Sequence, residues 1–278
     1  MRLVDSHAHL QLGPFRDDVD EVIAAALAAG VERILVPGVD VATGEAALGL
    51  AARFPWLDVA VGFHPHVAKD VDAAARARIA ALARDPVVVA IGETGLDFDR
   101  AWSPVADQLE NLRWNLALSL EVGKPAVVHC RSKRGERDAQ DALLEELAAA
   151  GFGGEAARRA FGGRPEAVLH SVSGPADYVG AALDLGCAVS VSGLAFRRGE
   201  EATAESVRLV PDDRLLVETD APYLAPPGAP RRRNAPEWVA ITAAWVAEQR
   251  GQDPTTFGDA LVAAYGRVFR PGSAPSRM

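Results

Sequence analysis

The stretch VVVAIGETGLDF, residues 87–98, joins an apolar run to two carboxylates. Its β-branched beginning is typical of a strand that is buried on both faces of a parallel sheet. Glu93 and Asp97 follow the apolar run, so the pattern predicts that both carboxylates lie where this strand ends. The question is which other residues of the chain lie opposite these two carboxylates at the edge of the sheet.

Seven similar β-branched runs lie before and after this stretch, and a helix-like segment separates each run from the next. The eight strand candidates are residues 2–6, 32–37, 58–63, 87–93, 125–130, 166–171, 187–193 and 214–219. Eight strand–helix units, repeated about every 25 to 40 residues, predict an α/β fold of the (β/α)8 TIM-barrel type, because a doubly wound sheet usually has about six strands. In such barrels the active site lies at the C-terminal ends of the strands.

The length and the turn signals predict one domain with little outside it. A TIM barrel takes about 250 residues, and the chain has 278. We predict a barrel over residues 1–270, an insertion at 151–165, which has glycine pairs at both ends, and a flexible tail at 271–278. We also predict that Ser103 is the N-cap of the helix that follows strand four.

The composition is that of a globular protein with an acidic surface. Apolar residues make up 49% of the chain, charged residues make up 24%, and the net charge is −9. This negative charge argues against broad binding of duplex nucleic acid. Two basic clusters, RSKRGER at 131–137 and RRR at 231–233, either form a local phosphate site or cover a solvated surface, and the sequence favours neither.

The sequence indicates neither a signal peptide nor a membrane-spanning segment, so we expect a cytoplasmic protein without a membrane partner. Cys130 and Cys187 show no paired spacing, which argues against a disulfide framework and against a thiolate zinc site. A G-x-S-x-G turn is missing, which argues against a serine nucleophile. Nothing in the sequence indicates an obligate protein partner.

All six histidines fall where a predicted strand ends. They are His7 and His9 on strand one, His64 and His66 on strand three, His129 on strand five, and His170 on strand six. Residues two apart in an extended chain point the same way, so His7 and His9 can both face the mouth of the barrel. Taken alone, this pair is either half of a metal site or two histidines that bond backbone groups near a turn.

Acidic residues at the same strand ends favour the metal site. Strand four supplies Glu93 and Asp97, and strand eight supplies Glu218 and Asp220. Imidazoles together with carboxylates suit divalent ions such as zinc, manganese or magnesium, and a carboxylate can bridge two ions. We predict that Glu93 is the bridge, although an ion pair for Glu93 and a loop N-cap for Asp220 are the structural alternatives. A pair of such ions supports hydrolysis with a metal-activated water.

The ordered motifs resemble the TatD family of metal-dependent hydrolases, a branch of the amidohydrolase-like barrels. The motifs are DSHAHL at 5–10, GFHPH at 62–66, IGETGLDF at 91–98, VVHCR at 127–131, LHSVSG at 169–174, ETDAPYL at 218–224 and RRRNAP at 231–236. The resemblance covers most of the chain. It implies deoxyribonuclease chemistry, with exonuclease action on single-stranded ends.

The resemblance also implies a role for each candidate residue. One metal ion would be held by His7, His9, Glu93 and Asp220, and the other by Glu93, His129 and His170. Glu93 and Asp220 are then the catalytic pair, with Asp220 able to take a proton from the attacking water. His64 would contact a substrate phosphate, and we place His66 and Arg131 beside it as substrate contacts. The implied cofactors are two divalent ions, Mg, Mn or Zn.

Three hypotheses follow for the function. The leading one is a nuclease that takes the end of a nucleic acid strand as its substrate and hydrolyses phosphodiester bonds. The alternative is an amidohydrolase-like enzyme for a small amide, lactone or phosphoester. The third is a binding protein without catalysis, which would need a broken metal site. Val172, Ala235 and residues 151–165 depart from the family pattern, which affects the expected substrate rim and leaves the expected metal ligands unchanged.

Overall fold

Eight strands alternate with helices in the computed structural model, which describes residues 1–230 and 233–270. The strands are β1 Leu3–Asp5, β2 Val31–Pro37, β3 Leu57–Val61, β4 Val88–Asp97, β5 Ala126–Arg131, β6 Ala167–Leu169, β7 Cys187–Val191 and β8 Leu215–Val217. The helices are α1 Val19–Ala28, α2 Val41–Arg53, α3 Ala73–Leu82, α4 Val105–Val122, α5 Asp138–Ala150, α6 Glu155–Ala160, α7 Ala176–Asp184, α8 Thr203–Leu209, α9 Val239–Arg250 and α10 Pro254–Phe269.

The strands form one parallel sheet in the order β1 to β8, which curves into a nearly closed barrel. Its two ends meet where Ser6 N donates to Val217 O over 3.0 Å, and where Ala8 and Ala221 form an isolated parallel bridge. This is the (β/α)8 TIM barrel that the strand count predicts. Because all eight strands run in the same direction, their C-terminal ends share one rim.

Small and β-branched side chains fill the core between the sheet and its helices. Val36, Val59, Val128 and Val189 on four strands are all fully buried. Strands that are covered on both faces have no polar alternation, and this is why they appear in the sequence as short continuous apolar runs. The polar residues that interrupt this burial are concentrated at the ends of the strands.

The end of β4 and the N-cap of α4 differ from the sequence predictions. β4 extends to Asp97, so Glu93 lies inside a ten-residue strand and not at its end. The prediction of Ser103 as N-cap of α4 is wrong, because Pro104 occupies that position. The Ser103 hydroxyl instead donates to His66 O over 2.9 Å and accepts from Lys69 N over 3.2 Å, which ties the loop after β4 to the loop after β3.

The segment 151–165 contains α6 and packs on the barrel between α5 and β6. Its aromatic side chains Phe152 and Phe161 are buried, with ring centroids 6.4 Å apart. That the segment is an insertion stays a prediction. The predicted flexible tail, 271–278, lies outside the described residues. No helix within residues 1–230 and 233–270 is both long enough and apolar enough to span a membrane.

Candidate metal centre

The strand ends bring the predicted site residues together at the C-terminal rim. His7 and His9 follow β1, His64 and His66 follow β3, Glu93 lies in β4, His129 lies in β5, His170 follows β6, and Asp220 follows β8. His66 lies in a short 3-10 helix, Pro65–Asp70, which the sequence did not indicate. Glu93, at 2% exposure, is the side chain around which the others are arranged.

One carboxylate oxygen of Glu93 faces the histidines of β1. Its Oε2 lies 3.3 Å from His7 Nε2 and 3.5 Å from His9 Nε2. The two Nε2 atoms lie 3.2 Å from each other, as expected for residues two apart that point the same way. Asp220 Oδ1 completes this group, 3.9 Å from His7 Nε2 and 3.6 Å from His9 Nε2.

The other carboxylate oxygen of Glu93 faces the opposite half of the mouth. Its Oε1 lies 3.0 Å from His129 Nδ1, 3.2 Å from His170 Nε2 and 3.3 Å from His64 Nε2. The two oxygens of Glu93 are therefore directed at two separate sets of nitrogen atoms. This division of ligand atoms is the one that a bridging carboxylate requires.

Hydrogen bonds outside the cluster determine which ring nitrogen faces Glu93. His9 Nδ1 donates to the carbonyl oxygen of Pro37 over 3.2 Å, and His170 Nδ1 donates to Glu218 Oε1 over 2.9 Å. In its neutral form each of these imidazoles carries one proton, and its Nε2 atom then has a lone pair that points into the cluster. Orienting contacts of this kind are typical of metal-binding histidines.

His64 has the reverse arrangement. Its Nδ1 accepts a hydrogen bond from His66 N over 3.1 Å, so its proton lies on Nε2, the atom that faces Glu93 Oε1. Burial lowers the pKa of His64 to about 4, which keeps the ring neutral. Its ring therefore offers the cluster a hydrogen-bond donor, whereas His9 and His170 offer a lone pair.

The donor set fits divalent metal ions. Ring nitrogens and carboxylate oxygens lie within 4.8 Å of one another in three groups, His7–His9–Glu93, His7–His170–Asp220 and His64–Glu93–His129. Among the described residues, the buried Nδ1 of His7 has no hydrogen-bond partner, while its Nε2 faces Glu93. Side chains of this chemistry can bind metal at this rim.

The balance of charge in the cluster is compatible with a bound cation. Burial would raise the pKa of Glu93, but His64, His170 and His7 outweigh it and hold that pKa well below its ordinary value. Burial would lower the pKa of His170, but Glu218 and Glu93 outweigh it and raise that pKa well above its ordinary value. The buried carboxylates thus favour positive charge on the groups beside them, and a metal ion can supply that charge in place of a proton.

The predicted substrate contacts lie around the cluster at different depths. His66 Nε2 bonds Asp97 Oδ2 over 2.7 Å, so its ring is held beside the cluster and not against Glu93. Arg131 is half-exposed on the rim, where its Nε donates to Asp99 Oδ2 over 2.9 Å. Of the named substrate residues, His64 alone contacts Glu93.

Two carboxylates that orient histidines had a predicted position at the strand ends but no predicted role. Glu218, fully buried, holds His170, and Asp97 holds His66 and lies 3.5 Å from His129 Nε2. Their position at the rim was predictable from the strand ends. Their partners were not, because the sequence does not show which imidazole each carboxylate reaches across the mouth.

Three described arginines of the basic clusters, Arg131, Arg137 and Arg233, are paired with acids. Arg137 bonds Asp141 and Asp177 at 2.8 Å each, and Arg233 bonds Asp18 at 2.6 Å. These pairs favour the solvated surface over a dedicated phosphate site. Residues 231 and 232 lie outside the described part of the chain.

Comparisons with known proteins agree with this geometry. The sequence profile of the family described as TatD related DNase matches residues 4–270. A Cronobacter sakazakii protein named 3'-5' ssDNA/RNA exonuclease TatD is 34% identical over 281 residues, which cover 99% of this chain and 100% of the relative. Bacillus subtilis YabD, named as an uncharacterized metal-dependent hydrolase, is 34% identical over 249 residues, covering 88% and 90%.

The crystal structure of YjjV, a TatD homologue from Escherichia coli K12, superimposes with a TM-score of 0.85 at 26% identity, covering 96% of this chain and 98% of that one. A TatD-family hydrolase structure from Entamoeba histolytica gives a TM-score of 0.83 at 19% identity, covering 98% and 99%, and shares the fold.

Proposed function

The chain belongs to the TatD family of metal-dependent hydrolases, and from this premise we propose that it removes nucleotides from single-stranded nucleic acid by hydrolysing phosphodiester bonds at the 3' end. The observation that carries the proposal is the division of the Glu93 carboxylate between two sets of side chains. Relatives at 34% identity bear the name 3'-5' ssDNA/RNA exonuclease. The cytoplasmic location stays a prediction.

Two divalent ions, Mg, Mn or Zn, are the cofactors of this proposal. His7, His9, Glu93 and Asp220 would hold one ion, and Glu93, His129 and His170 would hold the other. When bound, such ions polarise a phosphoryl oxygen and make water a nucleophile near neutral pH. The side chains of the protein do the remaining work of orienting groups and moving a proton.

Asp220 is the residue that we propose to accept the proton of the attacking water. Burial raises its pKa well above the ordinary value for a carboxyl group. A carboxylate with a raised pKa accepts protons more readily near neutral pH, which is the property of a general base. Its backbone is fixed in the left-handed region, with φ 54°, and its N–H donates to His7 O over 2.8 Å, so the carboxylate has a defined position.

His64 is the residue that we propose to bind the substrate phosphate. Its Nε2–H faces the cluster and is able to donate to a phosphate oxygen, because its Nδ1 is already an acceptor for His66 N. A phosphoester in the mouth would also come close to Arg131 on the rim. His66, held by Asp97, would support this side of the pocket.

The first experiment is a metal titration of chelator-treated protein by calorimetry, in parallel with digestion of 5'-labelled single-stranded DNA and RNA. The wild type is compared with Glu93→Gln, and with Glu205→Gln, an exposed glutamate of α8, as the matched control. We expect metal-dependent shortening from the 3' end in the wild type and the control, and loss of both metal binding and digestion in Glu93→Gln.

Other outcomes separate the rival functions. A wild type that binds metal and cleaves lactones or dipeptides, but leaves every strand intact, would reassign the chain to small-molecule hydrolysis. If the chelator-treated wild type takes up no metal, the result would support the hypothesis of a binding protein without catalysis.

A further inference from the structure

Two aromatic side chains stand exposed at the rim of the barrel. Among the described residues, six large hydrophobic side chains are exposed, and the two aromatic ones are Trp102 at 58% and Tyr223 at 54%. Trp102 lies in the loop between β4 and α4, and Tyr223 lies in the loop that follows β8. Exposed aromatic surface is unfavourable in water, so rings placed at a mouth are candidates for ligand contacts.

The topology places these rings on opposite sides of the mouth. In a closed barrel with the strand order β1 to β8, β4 and β8 are diametrically opposed. Trp102 and Tyr223 leave the C-terminal ends of these two strands. A ligand that enters the mouth between them therefore passes one ring on each side.

Both rings lie against histidines of the mouth. The Trp102 ring centroid is 4.3 Å from that of His66, and the Tyr223 centroid is 6.1 Å from that of His9. The guanidinium carbon of Arg100 is 5.7 Å from the Trp102 centroid, which adds a cation beside that ring. Each exposed ring thus lies beside a histidine at the mouth of the barrel.

Strained backbone accompanies both rings. Ala101, directly before Trp102, has φ 46°, and Leu224, directly after Tyr223, has φ 49°. Residues with a side chain pay on the order of 1 kcal/mol for this left-handed conformation, and such residues concentrate at functional sites. The loops hold a costly conformation next to an exposed aromatic ring on both sides of the mouth.

We propose that Trp102 and Tyr223 form two base-stacking subsites, which hold terminal bases of a single strand on either side of the metal centre. The inference rests on the proposed function and adds how the strand is recognised. Stacking on an aromatic face is open to every base, so these subsites would accept any sequence but would require unpaired bases. The two rings would thereby select single strands over duplex ends.

The test compares Trp102→Ala, Trp102→Phe, Tyr223→Ala and Tyr223→Phe with the wild type. Val105→Ala, which truncates an exposed side chain at the start of α4, is the matched control. The substrates are oligothymidylate, the same strand with abasic sites at its 3' end, and bis(4-nitrophenyl) phosphate, which has no base. A second readout is quenching of tryptophan fluorescence by oligothymidylate in excess chelator, which needs neither metal nor turnover.

We expect each alanine variant to raise KM for oligothymidylate about tenfold, since one stacked base contributes on that order, with little change in kcat. The phenylalanine variants and Val105→Ala should stay near the wild type. On abasic strands and on the small diester, the alanine variants should match the wild type. Quenching should be strong in the wild type and largely absent in Trp102→Ala and Trp102→Phe, because both variants lack the Trp102 fluorophore. Trp102→Phe should nevertheless keep binding the strand.

An unchanged KM in both alanine variants would overturn the inference, as would an equal loss on the substrates that lack bases. A Tyr223→Phe variant as weak as Tyr223→Ala would overturn the Tyr223 subsite, because the hydroxyl and not the ring would then matter. A wild type that cleaves no strand yet shows base-dependent quenching would overturn the proposed function and support the stacking subsites.

Discussion

Hydrogen bonds behind the candidate metal centre decide what each histidine can do. His9 and His170 donate through Nδ1 to an oxygen acceptor, so in their neutral form they present the Nε2 lone pair to the cluster. His64 accepts through Nδ1, and so presents an N–H. Three histidines at similar distances from Glu93 therefore separate into two that suit a metal ion and one that suits an anion.

Glu218 should matter for metal affinity although it binds no metal itself. Replacing it with glutamine removes the negative charge that supports His170 but keeps an acceptor, so we expect metal affinity to fall about tenfold. Glu218→Ala removes the acceptor as well, and we expect a loss of about 100-fold, the upper range for orienting partners. Calorimetric titration with Mn²⁺ measures both, with far-UV circular dichroism as the folding control. Equal affinity in all three proteins would contradict the orienting role.

His64→Ala tests the phosphate role. Because its Nε2 carries the proton, we expect the variant to bind metal as the wild type does, while kcat/KM for single-stranded DNA falls by about 100-fold, which is typical for loss of one oriented donor. His64→Asn, which keeps an N–H, should recover part of the activity. Loss of metal binding in the alanine variant would make His64 a ligand instead.

Residue identities were predictable to different degrees. The strand-end position of His7, His9 and Glu93 follows from the apolar runs that precede them, since parallel strands share one rim. The partner of His170 could not be predicted in this way, because Glu218 lies 48 positions further along the chain and contacts His170 only in the folded barrel. Trp102 gave no periodic or motif signal at all; its exposure is what identifies it.

At the scale of elements, the number of strands was predictable from the sequence, but the residues at which they end were not. The eight apolar runs correspond to β1–β8 in order. β4 continues through Gly95 to Asp97, because Gly95 has φ 137° and lies so close to β5 that a side chain there would collide with His129 O. A glycine inside a strand often marks a close approach of another backbone, and here it allows the ladder with β5 to continue past Glu93.

The last helix is fixed to the barrel at the end opposite the metal centre. Asp58, fully buried near the start of β3, accepts hydrogen bonds from Arg33 Nε over 2.7 Å and from Tyr265 Oη over 2.9 Å. It also accepts from Arg270 Nη1 over 2.5 Å, at the end of α10. One carboxylate thus joins β2, β3 and the C-terminal helix.

Asp58→Ala should destabilise the fold without changing the chemistry. It leaves buried donors and arginines without their partner, so we expect the free energy of unfolding to fall by about 3 kcal/mol and Tm to fall by on the order of 10 °C. Tyr265→Phe, which removes one hydrogen bond, should cost about 1–2 kcal/mol. Urea unfolding measures both, and kcat below the transition should be unchanged. Lost activity at full stability would contradict this assignment.

For the molecule as a whole, the charge distribution limits how nucleic acid can bind. The net charge is −9, and rim arginines such as Arg131 and Arg137 are paired with carboxylates. Proteins that depend on many phosphate contacts release many counterions and lose affinity steeply with salt. An acidic protein that takes a strand end into a metal-binding mouth and stacks its bases requires few such contacts.

The dependence of KM on salt should therefore be shallow. From 50 to 300 mM KCl at fixed metal concentration, we expect log KM for oligothymidylate to rise with log salt at a slope of about 1–2, which corresponds to roughly two neutralised phosphates at about 0.7 per phosphate on single strands. Asp99→Asn frees Arg131 from its ion pair, and it should lower KM at low salt and steepen the slope by about 0.7, one added phosphate contact. Asp107→Asn, an acidic residue in the first turn of α4, serves as the charge-matched control. A wild-type slope near 5 would instead mean that an extended basic surface carries the strand.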